Sequence, residues 1–158
     1  MASPGLLKGF ETYLKLERSL SANTVEAYIH DVLLLEVFLI NQSIGTTIEK
    51  CETEHLRSFL KQINQTGIAA TSQSRIISGI RSFYKFLILE NYIQIDPSES
   101  IDLPKTSRKL PDTLTFEEIN ALLDQVDLSV TEGERNKVML ETLYACGLRV
   151  SELVNLRY

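Results

Sequence analysis

Leu143-Tyr144-Ala145-Cys146-Gly147-Leu148-Arg149-Val150-Ser151-Glu152-Leu153 reads as the end of one helix, a stop, and the start of another. Val138, Met139, Leu140, Leu143 and Tyr144 recur at helical spacing and give the first helix its apolar face. Gly147 suits the left-handed residue that ends a helix, because it has no Cβ to clash there. Ser151 or a neighbour opens the next short helix. Arg149 is thereby held on a stiff corner, its planar guanidinium available to a phosphate or a carboxylate.

The same period runs through the rest of the chain, so the expected fold class is all-α. Leu6, Phe10, Tyr13 and Leu14 mark one amphipathic face, with Pro4 acceptable in a first turn. Asn23 followed by Glu26 resembles a capping box opening a second helix that reaches about residue 40. That helix is apolar nearly all round, as a central bundle helix would be. Thr53 can cap a third, with Leu56, Phe59, Leu60 and Ile63 on one stripe and Gly67 at its end. Thr71 opens a fourth over 71–91, with Ile76, Ile77, Ile80, Phe83, Tyr84, Leu87 and Ile88 on one side. Four helices with short connections predict a bundle over residues 1–95. Pro97, Pro104 and Pro111, with serines and scattered charge, mark a linker over 96–113. Beyond it, Thr115-Phe116-Glu117-Glu118 is a capping box, followed by a stripe of Phe116, Ile119, Leu122, Leu123 and Val126. A further helix covers 134–146. Residues 114–158 are too few for a stable domain and read as the first helices of a larger, truncated one.

Composition narrows the function classes. The chain is 44% hydrophobic and 23% charged, as a globular protein is. The most apolar stretch, 32–40, is short and interrupted by Glu36, and no signal peptide is evident, so the expectation is a cytoplasmic protein away from membranes. Cys51 and Cys146 are far apart and read as free thiols, and His30 and His55 as ordinary surface or packing residues. No metal spacing and no glycine-rich phosphate loop occurs, so no cofactor is expected. The net charge of −5 counts mildly against nucleic-acid binding. Its distribution leaves room for it: residues 1–104 carry nine basic against twelve acidic side chains, 105–112 three against one, and 113–158 four against eight.

The polar sector of the fourth helix gathers Ser74, Arg75, Ser78, Arg81, Ser82 and Lys85 with no acid among them. Such a face either stands in solvent or neutralises DNA backbone phosphates, and an α-helix fits the major groove.

The stretch around Arg149 closely resembles the first catalytic motif of the tyrosine recombinases of the phage-integrase family, Xer type, which runs Leu-x-Tyr-x-x-Gly-Leu-Arg-(Ile/Val)-Ser-Glu-Leu. Every fixed position is met. Asn23-Thr24-Val25-Glu26-Ala27-Tyr28, then Ser74-Arg75-Ile76-Ile77-Ser78-Gly79-Ile80-Arg81-Ser82-Phe83-Tyr84, then Asp96-Pro97, follow in the order and spacing such recombinases show. Leu110-Pro111-Asp112-Thr113-Leu114-Thr115 resembles their inter-domain linker entering the catalytic domain.

The resemblance implies an N-terminal four-helix core-binding (SAM-like) bundle, a linker and the start of a catalytic domain. Arg149 would contact a non-bridging oxygen of the scissile phosphate. By itself it could equally pair with Glu152, which would help to hold the corner. Of the family's Arg, Lys, His, Arg, His and nucleophilic Tyr, only the first falls within these residues, and Tyr158 does not match the nucleophile. Arg75, Arg81 and Lys85, then Ser72, Ser74 and Ser78, would face DNA. Asn23 and Thr24 serve first as helix cap and first turn, with a phosphate at that terminus as a second role. Lys105, Arg108 and Lys109 form either a solubilising hinge or a linker along DNA. The implied activity is site-specific recombination through a 3′-phosphotyrosyl intermediate, without metal or nucleotide, in chromosome dimer resolution at cell division. The partners would be DNA with inverted-repeat half-sites, a second recombinase subunit within a tetramer on two duplexes, and a DNA translocase. This fragment alone would bind DNA without cutting it. An integrase of a mobile element, a non-catalytic DNA-binding regulator and a helical module for an acidic protein are the alternatives.

Overall fold

Four α-helices build the first unit: α1 (Pro4–Thr12), α2 (Ala22–Asn41), α3 (Thr53–Gln65) and α4 (Ala70–Leu89). The computed structural model describes residues 4–42, 45–104 and 111–157, and every regular element among them is helical, as the periodicity predicts. The chain divides into two units, Met1–Ser107 and Arg108–Tyr158.

The helix ends show which polar residues the backbone recruits. Ser21, with extended backbone (φ −62°, ψ 152°), caps α2 by accepting the Thr24 N–H at 3.3 Å. The expected cap Asn23 instead lies inside the first turn. Thr53 is likewise one residue inside α3: Glu52 is the cap residue, its N–H donating to His55 Nδ1 at 3.0 Å. Gly67 (φ 75°) closes α3 as expected, its N–H reaching the Asn64 carbonyl at 3.2 Å. Helix α4 starts at Ala70, without a side-chain cap, and ends at Leu89, with Asn91 turning left-handed at φ 58°.

The core lies where α4 meets α1 and α2. Phe10 stacks edge-on against Phe83, with ring centres 5.1 Å apart, and meets Phe86 at 5.5 Å. Phe86 is thus buried, whereas Ile88, expected on the apolar side, is exposed. Tyr84 is fully buried, so its hydroxyl needs a partner, and it donates to the Ile48 carbonyl at 3.1 Å. Burial pushes the Tyr84 hydroxyl pKa far up, and it stays a neutral donor. Helix α2 is not buried all round. Val32, Leu35 and Leu39 face inward, while Leu33, Val37 and Ile40 are exposed, Val37 at 52%, because neighbours cover only one side.

The chain after α4 does not leave the bundle at residue 95. Asp96 accepts from the Ser98 N–H and hydroxyl at 2.7 and 2.6 Å, which turns the chain back. The Thr53 hydroxyl donates to the Pro97 carbonyl at 2.9 Å, and Arg81 donates to the Ile101 carbonyl. Pro97, Ser98 and Ile101 are buried. Residues 96–101, the expected start of a linker, therefore form a strap that completes the core.

The second unit holds α5 (Phe116–Asp124), α6 (Thr131–Cys146) and α7 (Val150–Val154). The Thr115–Glu118 capping box is present: the Thr115 N–H donates to Glu118 at 2.8 Å and the Glu118 N–H to Thr115 at 3.3 Å. Helix α6 starts earlier than expected. Gly133 lies within it, against the Asp127 carbonyl, where a Cβ would collide. Among the described residues, this unit buries no large apolar side chain.

Ile101→Ala tests the strap. Ile101 is 5% exposed, so its truncation is expected to cost about 2–4 kcal/mol, read by urea unfolding followed by circular dichroism. A cost near zero would make residues 96–101 a linker after all.

Candidate functional site

Helix α4 presents two polar clusters on its outer side. The first is a groove of about 250 Å³ where Ser78, Arg81, Ser82 and Lys85 face Arg18 and Tyr28. No carboxylate lines it, so three cations and several hydroxyls share one concavity. Such a surface attracts an anion with several oxygens, as a phosphodiester has. Behind Arg81 lies a second hollow, lined by Arg81 and Lys85 but also by Asp96 and Glu99, where the acids offset the bases. The wholly basic groove is therefore the better anion site.

Hydrogen bonds tie down two of its side chains, Arg81 and Ser78. Arg81 is half-buried and donates to the Ile101 carbonyl, so the strap holds it at the base of the groove. Ser78 donates to the Ser74 carbonyl at 2.8 Å, which leaves its oxygen as an acceptor towards the groove. Lys85 is exposed one turn further along. Arg18 follows the π-helical turn Tyr13–Glu17 that ends α1, and its N–H bonds the Tyr13 carbonyl at 3.1 Å. The sequence reading missed Arg18 because it lies off the α4 face. The one local signal is its place between an amphipathic helix and the cap at Ser21.

The second cluster surrounds Arg75. Its Nη1 donates to Asp31 Oδ2 at 2.7 Å and lies 3.5 Å from the Ala27 carbonyl. Asp31 is fully buried while the Arg75 side chain is 43% exposed. Burial pushes the Asp31 carboxyl above its ordinary pKa, opposed by the nearby Arg75 and, more weakly, His30. Asn23, Glu26 and His30 share an open hollow with Arg75. The Thr24 hydroxyl meets Ser21 Oγ at 2.9 Å, so it belongs to the helix cap. Ser72 and Ser74 are half-buried on α4 and belong to neither cluster. Lys105, Arg108 and Lys109 lie outside the described residues.

In the second unit, α6 stops at Gly147, which is left-handed (φ 61°, ψ 29°) as its sequence setting predicts. Arg149, rather than Ser151, is the residue that precedes α7. Glu152 reaches back to it twice, accepting the Arg149 N–H at 2.7 Å and Nη1 at 3.1 Å. The Arg149 side chain is 82% exposed. The corner thus carries a solvent-facing fork of donors with the Glu152 carboxylate against its base. Among the described residues no group of three His, Cys, Asp or Glu side chains could hold a metal ion. None of the described helices is long and apolar enough to cross a membrane.

The chain matches two family models: the phage integrase N-terminal SAM-like domain over residues 7–91 and the phage integrase family over residues 112–158. It is 38% identical over 151 residues to the tyrosine recombinase XerD of Staphylococcus saprophyticus, covering 96% of this chain and 51% of that protein. It is 37% identical over the same length to the tyrosine recombinase XerD of Staphylococcus aureus strain Mu50, with the same coverage. The chain spans about half the length of the curated relatives it matches.

The cap assignment at α2 separates two neighbouring polar residues. Ser21→Ala is expected to cost about 1 kcal/mol and Asn23→Ala less than about 0.5 kcal/mol in urea unfolding. The reverse order would restore Asn23 as the cap.

Proposed function

The chain belongs to the phage integrase family, and from that membership we propose that the whole protein is a site-specific tyrosine recombinase of Xer type. The first unit clamps the duplex. Arg18, Arg81 and Lys85 neutralise backbone phosphates in the basic groove, Ser78 adds a polar contact, and Arg75 and Asn23 reach a neighbouring phosphate. Lys105, Arg108 and Lys109 continue along DNA as the linker. Residues 114–158 open the catalytic domain, whose remaining helices cover the apolar faces of α5–α7.

The observation that carries this reading is the corner at Arg149. Its exposed guanidinium, tied at the base to Glu152, suits a non-bridging oxygen of the scissile phosphate, where charge grows in the transition state. A tyrosine elsewhere in the protein attacks that phosphorus and displaces the 5′ oxygen, leaving a 3′-phosphotyrosyl bond. The bond conserves the phosphodiester energy, so the exchange needs no metal and no nucleotide. Two subunits on each inverted-repeat site pair into a tetramer. The setting is the cytoplasm, the role chromosome dimer resolution at cell division, with a DNA translocase as partner. The names of the relatives favour this Xer role over a mobile-element integrase. The 158-residue chain alone, with one family catalytic position, binds DNA without cutting it.

In the whole protein, Arg149→Ala is expected to slow cleavage of a target duplex by about 10²–10³-fold while lowering its DNA affinity far less. Unchanged cleavage would remove Arg149 from the chemistry and this reading with it. In the 158-residue chain, Arg18→Ala and Lys85→Ala are each expected to lower the slope of log affinity against log salt by about 0.9.

A further inference from the structure

The contact between α2 and α4 contains a charge that ordinary core packing does not call for. Asp31 is fully buried. Its Oδ2 accepts from Arg75, and among the described residues its Oδ1 has no hydrogen-bond partner. A carboxylate with an unsatisfied oxygen is costly to bury, and an apolar residue of similar size would hold two helices together more cheaply. The fold also makes room for it. Opposite the carboxylate stands Gly79, where a Cβ would lie 2.6 Å from Oδ2 and 3.1 Å from the Asp31 Cβ. The carboxylate is therefore packed closely between its own helix and the α4 backbone.

That carboxylate acts on Arg75. Nη1 is committed to Asp31, while the Arg75 side chain remains 43% exposed beside the hollow of Asn23, Glu26 and His30. Nη2 and Nε keep their N–H groups, and this edge of the fork fits two oxygens of one phosphate. Bulk charge cannot draw a phosphate here, because Asp31 and Glu26 outweigh Arg75. Aim is what this cluster offers.

We propose that Asp31 is a positioning residue for DNA: it grips Arg75 by one edge so that the opposite edge faces a backbone phosphate. The proposal rests on the DNA-binding reading above.

The test is the anisotropy of a fluorescein-labelled mixed-sequence DNA duplex titrated with the 158-residue chain over a range of salt concentrations. Asp31→Asn keeps the side-chain volume and removes a negative charge from the DNA-facing unit. Positioning makes it bind about three- to tenfold more weakly, with a salt slope lower by about 0.9, matching Arg75→Ala. In an Arg75→Ala background, Asp31→Asn then has no further effect. A purely structural or repulsive role for Asp31 predicts equal or tighter binding with the slope intact, and that result overturns the proposal. Arg75→Lys is the second variant, should Asp31→Asn fail to fold. It keeps the charge and the bond to Asp31 but has no second edge, so it is expected to lose the same contact, and wild-type binding by it overturns the proposal. Wild-type chain that shows no salt-sensitive binding would defeat the DNA reading itself, and the proposal with it. Wild-type binding with Asp31→Asn unaffected would defeat the positioning role alone.

Discussion

The approach of α2 to α4 at Asp31 and Gly79 sets the geometry of the first unit. A side chain at position 79 would force the carboxylate aside, so the helices meet closely only because that position is glycine. With α4 held there, Ile76, Ile77, Ile80, Phe83, Tyr84 and Leu87 all turn inward. Tyr84 then reaches the Ile48 carbonyl and fixes the connection between α2 and α3. Phe83 and Phe86 receive Phe10, which places α1 and the π-helical turn carrying Arg18. The groove follows from this order of packing, since its cations come from elements that meet only across α4.

The polar side of α4 is correspondingly less free than an exposed helix face. Arg75 is tied to a buried carboxylate, Arg81 to a carbonyl of the strap and Ser78 to its own helix. A solvated face gains nothing from such ties, because exposed ion pairs contribute little and ordering long side chains opposes them. Pre-set side chains do help a surface that must meet a regular array of phosphates, where each rotamer fixed beforehand lowers the cost of binding.

Much of this was legible in the sequence, and the exceptions have physical causes. The all-helical class, the Thr115–Glu118 cap and the left-handed Gly147 each depend on local backbone chemistry that neighbouring residues determine. Ser21 and Asn23 are equally good caps by type, and only the point where the chain leaves the extended region chooses between them. Phe86 is buried and Ile88 exposed because α1 packs on the flank of α4 that carries Phe86. Helix α6 starts at Thr131 rather than 134 and takes in Gly133, which the close Asp127 carbonyl requires to be glycine. The residues of 96–101 look like a linker because their anchors are backbone carbonyls, which leave no pattern in side-chain type. Arg18 joins the groove through tertiary packing alone.

The strap also orders events in time. Among the described residues, Ile101 is the last side chain in the core cluster, which otherwise runs from Leu6 to Leu87. During synthesis the bundle can close once residue 101 has left the ribosome, before α5–α7 have all emerged behind it. The basic groove would then be complete early, while the apolar helices that follow are the segment exposed to aggregation as the chain grows.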